Sequence, residues 1–477
     1  MRLTRYNLLG LLMGCALSVC LQAPSVAAGK ATVPGWQSAA GKADEMVFVA
    51  TGDAIINRRL STESLPGAAS LFDLIRGADA AFTNFETQVH DFNLAGAQQS
   101  GGTYMGSPRF VTDELAWAGF DLLGLANNHA NDYGVDGLRS TLAALSQTKF
   151  IYAGAGENLA MARRPGYLDT LKGRVALISV AATFPDAIIA GAQRPDMRGR
   201  PGINPLRHST TYTVTQETYD TLSKLKGPPS ANMGEGGGDD DKDGALRWAG
   251  AKYVVGKDIG MTTKANKRDL DELIAEVRNA RSQADWVMVS IHAHESASPE
   301  ERGKPAQFTV EFAHAMIDAG ADTMVAHGPH VLRGIEVYKG KPIFYSMGNF
   351  IFENDLVDLQ PADNYEKTGL GNDALPADYY TKRTKNDTVG FPADRKFWQS
   401  VVAEMVFNTD RSLKAVRLHP ISLGFGQARI KRGQPYPSPP AEADQIMKDL
   451  QELCQPFGTT VDYKGGVGVL SWKTAGR

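Results

Sequence analysis

Five short apolar runs in this chain each end in side chains that an apolar interior cannot hold alone. Residues 46–51 lead into Gly52 and Asp53, residues 78–83 deliver Asn84, Phe85 and Glu86, and residues 121–126 deliver Asn127, Asn128 and His129. Residues 286–291 stop at His292, Ala293, His294 and Glu295, and residues 322–326 stop at His327, Gly328, Pro329 and His330. Each run has the length of a buried strand. In a sheet whose strands run alike, the C-terminal ends share one edge, and the loops leaving them converge on a common site.

Helical patterns alternate with these runs. We expect helices over 112–118, with Thr112 as N-cap, and over 135–147, 269–281 and 305–319. In the third, Leu270, Leu273, Ile274 and Val277 fall on one face. Further strands are expected at 150–153 and 175–182, the latter after a turn at Lys172 and Gly173. A hairpin over 334–352 turns around residues 339–342, and strands at 401–407 and 413–419 close the sheet. The alternation predicts an α/β protein with mixed sheets. The main domain spans residues 45–355 and is completed by closing strands in 397–430. Residues 227–244 read as a flexible, acidic, Gly-rich insertion, 356–396 as a lid-like insertion, and 431–477 as a C-terminal tail with a helix.

The formal net charge of -3 offers no basic field for nucleic acid. Residues 1–28 read as a signal peptide: Arg2 and Arg5, then the apolar stretch 8–21, then small residues up to Ala28. This predicts an exported protein, periplasmic or envelope-associated. Residues 12–15 also resemble a lipobox, which would make Cys15 a lipid anchor. Membrane contact is expected only through this segment or that anchor. After cleavage Cys454 stands alone, so no intrachain disulfide is available.

The strand-end residues are ligands for borderline and hard divalent ions. Imidazole, carboxylate and amide oxygen suit Mn, Fe, Zn or Mg. A bridging carboxylate flanked by histidines can hold two ions about 3.5–4 Å apart. Each piece also has a plainer reading. Asp53 can cap a turn, Asn84 and Glu86 can form a strand-end hydrogen-bond pair, and Asn128 and His129 can stabilise a turn. His292 and His294 can be an exposed pair on one strand face, and His330 after Pro329 can be a turn residue. His90, His208, His314 and His419 read as satisfied structural residues. Arg207 either pairs with an anionic substrate or fixes its own loop. Ser346, Asn349 and Glu336 are expected to shape the edge of the site.

Six ordered motifs carry a resemblance. They are Gly52-Asp53, Asn84-Phe85-Glu86, the stretch 127–132 ending in Asp132, the stretch 320–330, Gly334-Ile335-Glu336, and the stretch 345–350. Together they resemble the CapA (poly-γ-glutamate capsule synthesis) family from about Val47 to Phe352, and the closing strands to about Gly426 also fit. That family is similar to calcineurin-like metallophosphoesterases, which implies a four-layer α/β/β/α sandwich of two mixed sheets.

The resemblance also implies roles. Asp53 matches the first-strand metal aspartate and Glu86 the bridging carboxylate. Asn128 matches the asparagine ligand, with Asn84 beside it, and His292, His327 and His330 match the later ligands. His129 matches the histidine that stabilises or protonates the leaving oxygen. Asp132 and His294 join it as catalytic residues, and Arg207, Glu295 and Asn349 are expected to bind substrate. The implied function is a divalent-metal hydrolase acting on an anionic polymer or small anion of the envelope, with other capsule-synthesis proteins as the implied partners. The rivals are a non-catalytic polyanion-binding assembly or export factor, and a γ-glutamyl or peptidoglycan amidohydrolase. The chain departs from the phosphoesterase pattern in three places. Ala54 and Ile55 replace the usual Asp-x-His continuation, the final histidine pair is spaced by three, and His294 stands where many CapA proteins have glycine.

Overall fold

The computed structural model describes residues 44–62, 65–226 and 245–472. The expected signal segment, Cys15 and the insertion 227–244 lie outside the described residues. The fold is α/β with several mixed sheets.

The largest sheet has ten strands. Its parallel core is β1 (Glu45–Ile55), β2 (Ala80–Phe85) and β3 (Leu122–Gly124). All 11 residues of β1 are buried, as expected of a strand covered on both faces. A second sheet of six strands is centred on β4 (Gly173–Ala181), β5 (Trp286–His292) and β6 (Thr323–His327), again mutually parallel. Strand β7 (Asn349–Phe352) runs parallel to the end of β1. On that same edge of β1, away from β2, β8 (Gln399–Asn408) pairs antiparallel with Glu45–Ala50, and β9 (Leu413–Ser422) pairs antiparallel with β8.

The apolar pattern of the strands partitions the core. Met46, Phe48 and Phe82 of the large sheet share a cluster with Leu177, Met288 and Val325 of the six-stranded sheet. Their alternate neighbours Val49, Ala81 and Leu123 pack on Leu71, Leu115 and Leu138 from the helices Ala68–Arg76, Val111–Ala118 and Gly134–Leu145. On the six-stranded sheet, Ile178, Val289 and Met324 pack on Leu273, Val277, Phe312 and Met316 from the helices Lys267–Gln283 and Gln307–Ala319. Each such aliphatic or aromatic side chain contributes about 1.5–3 kcal/mol by leaving water. The predicted helix stripe is present: Leu273 and Val277 are buried, with Leu270 and Ile274 packed at its margin.

Several local expectations need correction. Thr112 does not cap its helix. Phe110 already has helical dihedrals at the cap position, and the Thr112 hydroxyl donates back to the Arg109 carbonyl at 2.9 Å, the local bonding that such residues favour. Residues 334–352 are not one hairpin. Ile335–Tyr338 and Lys341–Phe344 pair as expected, but the chain turns at Gly348 (φ 67°) and residues 349–352 join β1 in the other sheet. The C-terminal region is more than a tail with a helix. After the helix Pro440–Cys454, Thr459–Lys464 and Val467–Trp472 form a hairpin that extends the large sheet. The 356–396 insertion contains the short helices Ala362–Lys367 and Pro376–Arg383.

Candidate metal centre

The site begins where β1 ends. Pairing between β1 and β2 shifts register between Ala50 and Asp53, an irregularity that re-aims the side chain after it. Gly52 permits the close approach: a Cβ there would lie 1.9 Å from the Gly348 carbonyl oxygen. The Asp53 amide donates to that same carbonyl at 3.0 Å. Asp53 is thus fixed in the interior. Its Oδ1 accepts from Asn84 Nδ2 at 2.8 Å and its Oδ2 from the Gly328 amide at 3.0 Å.

The other strand ends arrive around it. His327 Nδ1 lies 3.3 Å from Asp53 Oδ1, His330 Nδ1 3.4 Å from Oδ2, and His292 Nδ1 3.8 Å from Oδ1. Glu86 Oε1 has His292 Nε2 at 3.7 Å, His330 Nε2 at 3.9 Å and His129 Nε2 at 4.0 Å. The imidazoles also meet one another: His292 Nδ1 is 3.1 Å from His327 Nδ1, and His292 Nε2 is 2.9 Å from His294 Nε2. Ser290 Oγ contacts His327 Nε2 at 2.8 Å. His330 adopts φ 60°, an uncommon state for a residue with a Cβ that marks functional sites. Asn349 holds it there, with Oδ1 2.8 Å from Nδ1.

Three ligand sets follow, each with its atoms within 4.8 Å of one another: Asp53, His292 and His327; Glu86, His292 and His294; and Asp53, Glu86 and His330. The decisive feature is Glu86. It is fully buried, and neither carboxylate oxygen has a hydrogen-bond partner. Asn128 Oδ1 is likewise buried and unpartnered. A buried carboxylate without donors is costly unless a cation compensates it. The donor set of imidazole, carboxylate and amide oxygen therefore fits a divalent ion.

The electrostatics agree. Burial, and then the charges of Asp53 and Asp132, push the Glu86 carboxyl well above its ordinary range. Burial also pushes Asp53 up, but hydrogen bonds from His327 and His330 outweigh it and hold the carboxyl well below the usual range. Burial, with neighbouring histidines, drives His292 and His294 well down. Neutral imidazole is the form that binds metal.

His129 stands at the mouth of the cluster. Its Nδ1 is 2.6 Å from Asp132 Oδ2, and Asp132 is itself held by the amides of Gly101 and Met105 at 3.0 and 2.7 Å. That leaves Nε2 directed toward Glu86. Asn128, His129, His294 and His330 line a cavity of about 220 Å³.

Not every expected residue reaches the site. Asn84 enters as a donor to Asp53, and its own oxygen lies 3.4 Å from Asn127 Nδ2, so it orders the cluster from within. Arg207 does not line the cavity: Asp269 holds its guanidinium through two contacts of 2.8 Å, which fixes the loop. Glu295 accepts from the Thr183 hydroxyl at 2.8 Å, and Asn349 serves His330. Glu336 pairs with His314 at 2.9 Å, and Ser346 donates to the Val331 carbonyl. The plainer readings hold for His314, stacked on Tyr338, and for His208, stacked on Phe308. Sequence reasoning missed Ser290, Arg302 and Arg383. Ser290 carried a signal, since it lies two residues before His292 and so shares its strand face. The two arginines lie in polar segments without periodicity and carried none.

The mixed α/β fold gathers five histidines and three carboxylates into a cluster that could hold a metal ion, in keeping with the metallophosphatase-like superfamily. The chain belongs to the family described as "Bacterial capsule synthesis protein PGA_cap", which matches residues 47–354, in agreement with the motifs. It is similar to an uncharacterized protein, y4sH, of Sinorhizobium fredii, at 36% identity over 93% of this chain and 96% of that protein. It is also similar to the PGA biosynthesis protein CapA of Bacillus subtilis, at 25% identity over 81% of this chain and 88% of the relative. The capsule biosynthesis protein CapA of Bacillus anthracis matches at 31% identity over 50% of this chain and 41% of its own length.

Proposed function

We propose that this protein is a divalent-metal-dependent hydrolase acting on an anionic substrate of the cell envelope, in capsule or poly-γ-glutamate metabolism. The observation that carries the reading is Glu86, a fully buried carboxylate with no donor, surrounded by three imidazoles. The printed names of the Bacillus relatives support the capsule context. Export is part of the same reading. So is a four-layer α/β/β/α sandwich, supported by the apolar clusters that join the two sheets to each other and each sheet to its own helices.

Asp53, Glu86, His292, His294, His327 and His330 would hold the metal, with Asn128 Oδ1 available beside them. A bound divalent ion supplies Lewis acidity and neutralises negative charge on substrate. The chain's own residues supply the rest. Asp132 fixes the His129 ring through Nδ1, so a proton taken up at Nε2 in the imidazolium form is the one His129 could give to a leaving oxygen. Asn84 and the Gly328 amide hold Asp53 as an anion in the interior. The loop carrying Gly101 and Gly102 lines the cavity beside Asn128 and His129, and the Gly101 carbonyl accepts from Asn128 Nδ2 at 3.1 Å.

The test is elemental analysis of the full chain and of Asp53→Ala and His292→Ala, with turnover measured on phosphomonoester, phosphodiester and γ-glutamyl amide substrates. Wild type should carry divalent metal and hydrolyse an ester, and both variants should lose the two properties together. Metal without turnover on any substrate would favour a polyanion-binding factor, and amide cleavage alone an amidohydrolase. Equal metal content in all three proteins would sink the metal reading.

A further inference from the structure

The cavity over the metal-capable cluster does not end there. Four of its lining residues, Arg302, Asn354, Arg383 and Phe391, also line a groove of about 990 Å³. The two spaces meet at these side chains. The smaller cavity is lined by His129, His294 and His330 and also by the two arginines.

The contacts of both arginines are with neutral groups. Arg383 ends the helix Pro376–Arg383 of the 356–396 insertion and donates to the Thr103 hydroxyl, which ties it to the loop over Asn128. The Arg302 guanidinium lies 5.3 Å from the centre of the Phe397 ring, while its carbonyl accepts from Arg333 Nε at 2.9 Å. Among the described residues neither arginine pairs with a carboxylate. Arg395 in the same groove, by contrast, is matched to Asp449 at 2.9 Å, and Arg432 behind it to Asp355 and Asp387. Lys396 of the groove likewise has no carboxylate partner among the described residues, but Arg302 and Arg383 are the cations that line both spaces.

The groove beyond carries more acid than base. Its lining includes Glu300, Asp394 and Glu452 against Lys396, in addition to the paired Glu301, Asp355 and Asp449. A chain carrying negative charge at every repeat would be attracted at the junction and repelled further out. Two arginines lining one junction suit recognition of a planar or tetrahedral anion through forked donors.

We propose that Arg302 and Arg383 form a binding subsite for a single anionic group, carboxylate or phosphate, that flanks the bond presented to the metal-capable cluster, and that the groove receives the neutral or cationic remainder of an extended substrate. The lid-like insertion thereby acts in specificity. This inference builds on the hydrolase reading, but the subsite itself needs no metal, so the two can fail separately.

The experiment uses the full chain in chelator at low ionic strength, where charge recognition is least screened. Calorimetry measures binding of inorganic pyrophosphate and of tricarballylate, which separates phosphate from carboxylate recognition. Wild type should bind at least one of them. Arg302→Gln and Arg383→Gln should each weaken that binding about tenfold, the loss expected for a charge-assisted pair, and the double variant should abolish it. Arg302 is exposed, so its variant tests the subsite even if Arg383→Gln disturbs the Thr103 contact. Arg383→Lys should keep part of the affinity. Binding of neither anion by wild type, or equal binding by Arg302→Gln, overturns the proposal. Unchanged metal content in the variants would leave the hydrolase reading standing in that event.

Discussion

Replacing Glu86 by glutamine removes one charge and little volume, and the structure predicts opposite consequences with and without metal. In chelator, the carboxylate accepts no hydrogen bond, so the substitution breaks none. It removes a desolvation cost of several kcal/mol for a buried ion, lessened because the raised pKa lets the carboxyl take up a proton. Metal-free Glu86→Gln should therefore be at least as stable as wild type. With metal at about 100 times Kd, wild type gains about 2.7 kcal/mol. If losing the ligand weakens affinity about 100-fold, the variant at the same concentration gains only about 0.4 kcal/mol. An unfolding entropy of roughly 2 cal/mol/K per residue makes 1 kcal/mol worth about 1 °C in a chain of this size. Thermal denaturation with Mn and with EDTA should thus show a metal-dependent rise of about 3 °C in wild type and well under 1 °C in the variant. A variant that melts several degrees lower in EDTA, yet keeps the full metal-dependent rise, would falsify the argument and make Glu86 a structural residue.

His129→Gln should retain metal and lose about 10²–10⁴ in turnover, the range for a removed general acid; steady-state kinetics beside elemental analysis checks both halves. Gly52→Ala places a Cβ 1.9 Å from the Gly348 carbonyl, so it should force the end of β1 and Asp53 out of position, lowering melting temperature and metal content together. Asp269→Asn takes one of two carboxylates from the buried Arg163 guanidinium, which keeps Glu272, and weakens the hold on Arg207, so it should cost about 1.5–3 kcal/mol in denaturant unfolding. The Asp269 carboxyl is raised by burial but lowered more by the hydrogen bonds and charge of Arg207 and by the charge of Arg163, so its folded pKa falls below 3.8. Its contribution is then complete above about pH 4 and lost as pH falls through the depressed value. Wild type and Asp269→Asn should converge in stability on acidification, and parallel curves would contradict this.

How much of the site was readable differs residue by residue. Asp53, Glu86, His129, His292, His327 and His330 announce themselves because each ends an apolar run, and a polar group placed there has few reasons to exist apart from a partner in space. Those runs also carry the helix and strand periods, so the class of fold and the stripe of Leu273 and Val277 follow from the order of residues. The sequence alone thus determined which side chains belong to strand ends and which faces seek the core, since both depend on neighbours within one turn or one pleat.

Tertiary structure decided everything that depends on distant segments meeting. Nothing local assigns residues 349–352 to the sheet of β1, sends Arg207 to Asp269 across 62 positions, or places Arg383 beside the cavity that His294 lines. The same holds for Glu86, whose lack of any donor exists only once strands from three parts of the chain enclose it. Burial and contact at long sequence separation are properties of the packed chain, and a one-dimensional pattern carries no term for them.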